Sequence, residues 1–353
     1  MTITDQPTEI RQGEELDPDR VEAFLQAELP GLEGPLSVRQ FPRGFSNLTY
    51  LLSFKNRDLV LRRPPFGTKA KTAHDMGREY RILKALRPVF PYCPEPLVYT
   101  EDESVIGSPF YVMSRIEGLI LRRDLPPGLE LSPEQARDLF GKFLDVLVEL
   151  HSLDYRKIGL DNFGKPEGFV RRQVEGWSKR YRAARTPDAP DFEEIMGWLA
   201  ERMPADTDRP TLVHNDYRLD NLVIEPVAPF RIIGVLDWEM ATIGDPLMDL
   251  GNTLAYWVQK DDPLEAHLLR NMPTHLDGAP TREELIHRYG EKTGRDTSRF
   301  DFYYCFGVFR LAVIAQQIYY RYYHGQTKDE RFAALIHGVR VLEKTAQGIV
   351  GKK

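Results

Sequence analysis

Cysteine is almost absent from this chain. Its 353 residues include two, Cys93 and Cys305. That is too few for a disulfide framework or a zinc site, and it fits a reducing, cytoplasmic setting. Histidine is thin as well: eight are present, and those other than His214 are scattered without metal-ligand spacing. Nowhere do apolar residues run to the ~18 that a membrane span needs. The opening stretch MTITDQPTEIRQGEEL is polar and acidic and lacks the apolar core of a signal peptide. Positive charge is not in excess. Lys and Arg number 47 against 53 Asp and Glu, a net charge of −6. This argues against general nucleic-acid or anionic-membrane binding, while a local basic patch could still hold phosphates. Internal repeats are missing. What remains is an ordinary globular composition, 42% hydrophobic and 28% charged, long enough to bury a large core or two lobes.

The densest chemistry lies in residues 211–251, TLVHNDYRLDNLVIEPVAPFRIIGVLDWEMATIGDPLMDLG. His214, Asp216, Arg218 and Asn221 fall in one short run, with Asp237 sixteen residues after Asn221. Leu222 to Glu225 reads as a strand and Ile232 to Leu236 as its return. Pro226 to Pro229 reads as the turn, because proline fixes φ and cannot donate to a ladder. Asn221 and Asp237 are thereby expected at the same end of a hairpin, with Asp216 on the loop that enters it. An amide and one carboxylate are few ligands. That suits Mg²⁺, which keeps waters and completes its shell from substrate phosphates. A further carboxylate off the metal can act as base toward a hydroxyl. The plain alternative is a loop and hairpin with scattered polar residues. Another is a hydrolase with His214 and Asp216 as metal ligands, which the scattered histidines oppose.

Residues 1–16 read as a flexible tail. Asp17 and Pro18 start a helix, Leu36 to Phe41 a strand, and Gly44, Ser46 and Asn47 a turn into the strand Thr49 to Phe54. Asp58 to Arg63 is a further strand ended by Pro64-Pro65, and Lys69 to Leu86 a helix. Glu79 falls among Met76, Tyr80 and Leu83 on that helix's apolar face. A carboxylate there calls for a cation, and Arg62 one strand earlier is the natural partner. Otherwise Glu79 borders the face and pairs in solvent with Arg78. Leu97 to Tyr99 and Phe110 to Ile116 supply two more strands. Ser132-Pro133-Glu134-Gln135 is a capping box for a helix carrying Leu139, Phe143, Val146, Leu147 and Leu150; His151 behind them reads as packed rather than metal-binding. Val170 to Arg185 is a helix dense in Arg171, Arg172, Lys179, Arg180, Arg182 and Arg185, either a solvated face or a dock for an anionic acceptor. Asp245 and Pro246 start a helix that holds Asp249 in its first turn. The aromatic stretch 301–323 is expected to be mostly core.

The spacing H-x-D-x₄-N, strand, turn, strand, Asp resembles the catalytic segment of the protein-kinase-like superfamily. Asp237 is followed by Trp238-Glu239 and at once by GDPLMDLG, without room for a long activation segment. In this the chain is more similar to the aminoglycoside phosphotransferase and choline kinase branch. It most resembles the phosphotransferase domain that accompanies acyl-CoA dehydrogenases. The resemblance implies an α+β, two-lobe kinase-like fold: a nucleotide-binding small lobe over 17–116, with antiparallel sheet and one helix, and a mostly helical lobe over 117–353 with catalytic loop and acceptor site. It implies ATP and Mg²⁺, with Asp216 as base, Arg218 on the transferred phosphate, and Asn221 and Asp237 as metal ligands. Gly44, Phe45, Ser46 and Asn47 would form the phosphate-covering loop, which holds a single glycine. Arg62 stands where the family usually has lysine, paired with Glu79. Met113 would line the adenine pocket, with the backbones of Ser114 and Ile116 on the purine edge. His214 and Asp249 would support the catalytic loop. The implied acceptor is a small-molecule hydroxyl, a hydroxyacyl-CoA or hydroxy acid before choline or an aminoglycoside, with a functional link to an acyl-CoA dehydrogenase. A nucleotide-binding pseudokinase is the alternative that Arg62 and the glycine-poor loop favour.

Overall fold

The computed structural model describes residues 6–42, 47–65 and 75–351. In chain order its elements are α1 (Pro18–Glu28), β1 (Ser37–Gln40), β2 (Leu48–Ser53), β3 (Asp58–Arg63), α2 (Met76–Leu86), β4 (Pro96–Thr100), α3 (Glu103–Ile106), β5 (Phe110–Ser114), α4 (Pro133–Ser152), α5 (Phe169–Ala184) and α6 (Glu193–Glu201). There follow β6 (Thr211–Val213), β7 (Leu222–Ile224), β8 (Ile232–Val235), β9 (Thr242–Gly244), α7 (Pro246–Ala255), α8 (Leu264–Leu268), α9 (Arg282–Thr293), α10 (Phe300–Tyr323) and α11 (Leu335–Val350). They divide into two units. One holds the chain up to Ile120 together with Asn221–Glu239, the other Leu121–Asp220 and Met240 onward.

The first unit is built on a five-stranded antiparallel sheet in the order β1-β2-β3-β5-β4. Leu48, Tyr50 and Leu52 join Leu59, Leu61, Phe110 and Val112 in a core that takes in Val21 and Leu25 of α1. The period-2 spacing within each strand puts these side chains on one face. Asp17 caps α1, accepting from the Arg20 N–H, and Pro18 opens it. Asp75 caps α2, whose buried residues Met76, Glu79, Leu83 and Leu86 recur at helical spacing. The part of the expected helix before Asp75 lies outside the described residues. β7 and β8 form the expected hairpin, with Leu222 opposite Val235.

Two expectations are corrected here. The boundary after residue 116 assigned the whole remainder of the chain to the helical part, yet the hairpin belongs with the sheet. Leu119 and Ile224 exchange both backbone hydrogen bonds, at 2.7 and 2.8 Å, and the Val235 N–H donates to the Tyr92 carbonyl at 2.8 Å. Trp238 is buried edge-on to Phe90, ring centroids 6.0 Å apart. Residues 6–16, taken as part of a flexible tail, are held in place. Thr8 and Gln40 exchange backbone hydrogen bonds at 2.8 and 3.0 Å. The Tyr50 hydroxyl donates to the Glu14 carbonyl at 2.6 Å, and Leu16 is buried. Long-range pairing overrides the polar composition of this stretch.

The second unit is helical. Ser132 and Gln135 form the capping box of α4, and Leu139, Phe143, Val146, Leu147 and Leu150 are all buried. At its centre α10 packs against α7, α11 and α5, burying Phe302, Phe306, Phe309 and Tyr319. Side chains are missing where α7 and α10 cross: a Cβ on Gly307 would strike the Gly251 carbonyl, and one on Gly251 the Tyr303 carbonyl. α5 buries Val174, Trp177 and Tyr181 and leaves its five cations, and Arg185 at its C-cap, exposed. Of these, Arg182 pairs with Glu193 at 2.6 Å and Arg172 donates to the carbonyls of Lys165 and Glu167. Among the described residues no helix is long and apolar enough to cross a membrane.

Gln40, with no exposed surface, ties residues 6–16 to the sheet. Its Oε1 accepts from the Arg11 N–H at 2.9 Å and its Nε2 donates to Glu14 at 2.6 Å. Gln40→Ala leaves these groups unpaired, at a cost of about 1–3 kcal/mol. Trypsin cleavage at Arg11 should become several-fold faster; an unchanged rate would show that this segment is held by other contacts.

Candidate active site

In the first unit, β3, α2 and the chain that leaves the β7–β8 hairpin bring four charged side chains together. Arg62 is buried on β3, opposite Thr49 and Tyr111. Its guanidinium pairs with Glu79 of α2, bonds Asp237 at 3.1 Å and lies 3.9 Å from Glu239. Glu79 is 2% exposed, so it does not sit at the border of its helix face pairing in solvent. Burial alone would lower the guanidinium's pKa. Glu79 in front, then Tyr111, Asp237 and Glu239, hold it well above its ordinary value. Burial pushes Glu79 up while Arg62 pulls it down. We take the pair as ionised, because an arginine stays charged at any accessible pH.

Asn221 and Asp237 come to the same end of the hairpin, where the Leu236 N–H donates to the Asn221 carbonyl at 2.8 Å. Asp237 has φ +65°, a left-handed conformation that few non-glycine residues adopt. Glu239, given no role in the sequence reading, accepts from Asn47 Nδ2 at 2.8 Å. Gly44, Phe45 and Ser46 lie outside the described residues. Among the described residues no three His, Cys, Asp or Glu side chains are grouped to hold a metal unaided. The hard oxygen donors of Asn221 and Asp237 do fit Mg²⁺, which takes few protein ligands and completes its shell from phosphates and water.

Met113 is buried on β5 opposite Val60, and Ile116 follows the strand. The Ser114 N–H donates to the Glu95 carbonyl at 2.9 Å. That N–H, part of the expected backbone contact to a purine, is therefore committed to the fold.

In the second unit the loop 214–219 is fixed group by group. Asp249, fully buried in the first turn of α7, accepts the N–H groups of His214 and Asn215, both at 2.7 Å. His151 Nε2 lies 3.1 Å from the same carboxylate, and its Nδ1 lies 2.8 Å from the Tyr289 hydroxyl. A carboxylate needs a donor, so Nε2 carries the proton and Nδ1 accepts. The Asp216 N–H donates to His214 Nδ1 at 3.3 Å, so His214 braces the loop. Asn215 sits at φ +63°, and Arg310 donates to its carbonyl at 2.9 Å. The Asp216 carboxylate pairs with Arg218, at 3.0 Å to Nε and 3.2 Å to Nη2. Arg218 also reaches Asp220 at 3.4 Å and covers the Tyr256 ring at 4.7 Å. Burial would lower Arg218, but Asp216, Tyr256 and Asp220 raise it.

Sequence reasoning passed over Asp220, Tyr256, Tyr289, Glu239 and Arg310, and took His151 only as packed. For Arg310 a signal existed. It is a cation among Phe306, Phe309 and Val313 on the buried stripe of α10, the same conflict that exposed Glu79.

Burial would raise the Asp249 carboxyl, but His151, His214 and the backbone N–H groups hold it below the usual carboxylate range. The folded pKa is the lower one, so its stabilisation is complete above the unfolded value near ~4 and fades as pH falls below it. Asp249→Ala strands buried donors and should cost about 3–5 kcal/mol at pH 7. Urea melts at pH 7 and at pH 3.5 should show the gap to wild type narrowing in acid. Equal stability at pH 7 would refute the role assigned to this carboxylate.

Residues 37–301 match the model of the family described as APH, phosphotransferase enzyme family. Acyl-CoA dehydrogenase family member 10 of Mus musculus is 38% identical over 323 residues, covering 91% of this chain and 30% of that protein. The chain spans less than half the length of the curated relatives it matches. A crystal structure from Ralstonia eutropha JMP134, described as an aminoglycoside phosphotransferase, aligns with a TM-score of 0.82 at 32% identity, covering 96% of this chain and 99% of that one. Choline kinase from Cryptosporidium parvum aligns with a TM-score of 0.59 at 13% identity, covering 95% and 98%. The fold is thus the kinase-like α+β fold, with its five-stranded antiparallel sheet and helical part. By family match and by relatives alike, the chain belongs to the phosphotransferase enzyme family.

Proposed function

We propose that this protein transfers the γ-phosphoryl group of ATP to a hydroxyl of a small molecule, in the presence of Mg²⁺. The observation that carries this is the end of the hairpin, to which the chain brings Asn221 and Asp237, residues with hard oxygen donors, and where the buried Arg62–Glu79 pair delivers a guanidinium to Asp237. Mg²⁺ held by Asn221 and Asp237 would supply positive charge against the charge on the transferring phosphoryl. Arg62 takes the lysine's place as a fixed cation for nucleotide phosphates, able to bind them through two N–H groups at once. Asp216, on a loop that Asp249 holds rigid, would orient the acceptor hydroxyl and take its proton. Arg218 would turn from Asp216 to the phosphate oxygens during transfer. Met113, Ser114 and Ile116 would meet the base, and Gly44 to Asn47 the phosphates.

The favoured acceptor is a hydroxyacyl-CoA or its hydroxy acid. Two things support it: relatives named as acyl-CoA dehydrogenase family members, and the exposed cations of α5, which suit an anion better than a polycationic aminoglycoside or choline. The same relatives support a functional link to an acyl-CoA dehydrogenase. A second reading, nucleotide binding without transfer, rests on the Arg218–Asp216 pair, which occupies the proposed base.

ADP release with MgATP is the deciding assay, run against 3- and 4-hydroxyacyl-CoAs, their free acids, choline, sugars and aminoglycosides. Acceptor-dependent release is expected, with Asp216→Asn lowering kcat about 10²–10⁴-fold while MgATP still raises Tm. An Asp216→Asn variant at wild-type rate would refute the base. Thermal stabilisation by MgATP without turnover on any acceptor would favour the second reading.

A further inference from the structure

Arg310 is 5% exposed, and among the described residues no carboxylate lies within ion-pairing distance of it. Its contacts are the Asn215 carbonyl at 2.9 Å and the face of Trp177, 5.2 Å from the ring centroid. Arg62, Arg218 and Arg282 are also largely buried, but each faces at least one carboxylate, at 3.1, 3.0 and 2.7 Å respectively. A guanidinium cannot escape burial by losing its proton. One carbonyl and one aromatic face compensate it only in part, because a buried charge calls for an opposite charge.

The surroundings show which way this charge is turned. Asn215 is the residue before Asp216, so the bonded carbonyl belongs to the loop that carries the proposed base. Beside that base, Arg218 pairs with Asp216 at 3.0 Å and with Asp220 at 3.4 Å and lies over the Tyr256 ring at 4.7 Å. On the outer side, Arg180 of the exposed α5 face lies over the same Trp177 indole at 4.6 Å. Trp177 itself is buried. Two guanidiniums are thus stacked on one indole, one at the surface and one against the catalytic loop.

We propose that the Arg180–Trp177–Arg310 stack is the acceptor's anion site, in which Arg310 binds an anionic oxygen of the acceptor next to Asp216 and Arg180 screens the same charge from outside. The site deepens the phosphotransferase reading and rests on it: the acceptor is an acid, selected by a buried cation. A cationic acceptor would be repelled there, and a neutral alcohol would leave the guanidinium without its counter-charge. The anion is either the carboxylate of a hydroxy acid or a phosphate of a CoA ester.

The test is calorimetric titration of the full chain, without nucleotide, with 4-hydroxybutyrate and with coenzyme A. Arg310→Gln keeps an N–H for the Asn215 carbonyl and removes the charge, Arg310→Lys restores the charge, and Arg180→Ala changes only the surface. Arg310→Gln should weaken binding at least ten-fold, Arg310→Lys should recover most of it, and Arg180→Ala should weaken it two- to five-fold. In every variant the rise in Tm with MgATP should persist. The fate of the transfer reading is therefore read from MgATP, apart from the titrations. Loss confined to 4-hydroxybutyrate identifies a carboxylate site, and loss confined to coenzyme A a phosphate site. Wild type that binds neither anion, or Arg310→Gln that binds them as tightly as wild type, overturns the proposal. Should Arg310→Gln not fold, unchanged affinity in Arg180→Ala overturns it instead.

Discussion

The Asp249 carboxylate is removed from water, and what it does for the second unit follows from that removal. A buried carboxylate must collect donors or give up its charge. Asp249 collects two backbone N–H groups from His214 and Asn215, and a third donor from His151. Those bonds let Asn215 hold a positive φ, which turns the chain so that Asp216 follows with its side chain partly exposed. The rest of the loop is pinned in the same manner. The Tyr217 hydroxyl donates to the Phe143 carbonyl at 2.8 Å, and the Thr253 hydroxyl to the Tyr217 carbonyl at 3.0 Å. Under the proposed function, rigidity here would have a chemical use. A base gains most when the proton it takes is presented at hydrogen-bond distance, and a wandering loop would forfeit that.

The first unit solves a similar problem with the opposite charge. Arg62 is surrounded by Glu79, Asp237 and Glu239, more negative charge than one guanidinium balances. Such a cluster favours a further cation at its open side, and Asp237, with 35% of its side chain exposed against 20% for Glu239, is the most accessible member. The left-handed backbone of Asp237 belongs to the same arrangement, because strain of this kind persists where surrounding contacts over-determine it. The buried pair thus fixes the carboxylate, and the carboxylate tolerates an unusual backbone to point where it does.

Features encoded over short stretches were legible in the sequence. The hairpin of 222–235, the Ser132 capping box and the Asp17 cap were visible as spacing. The partnership of Arg62 and Glu79 was visible as a charge placed against an apolar stripe. Contacts between distant segments were not. Residues 6–16 look like a tail because their composition is polar, and only the pairing of Thr8 with Gln40 and the burial of Leu16 hold them. The union of 221–239 with the sheet depends on Leu119 and Tyr92, which no local pattern announces. The chain His151 to Tyr289 joins residues 138 positions apart. Arg310 broke an apolar stripe as Glu79 did, but the aromatic density around it drew attention to the core rather than to the exception.

Gly251 and Gly307 carry no side chain and no charge, yet they set the spacing of the polar groups that do. Asp249 stands two residues before one glycine and Arg310 three residues after the other, so the closeness of two bare backbones positions both with respect to the backbone of Asn215. A methyl group at either glycine would push the two helices apart and separate the anion that holds the loop's N–H from the cation that holds its carbonyl. Sequence drift at the crossing is therefore closed for a reason of volume alone. The polar residues of the loop can be exchanged one at a time and each loss judged separately, whereas an added methyl here would disturb both backbone groups of Asn215 together.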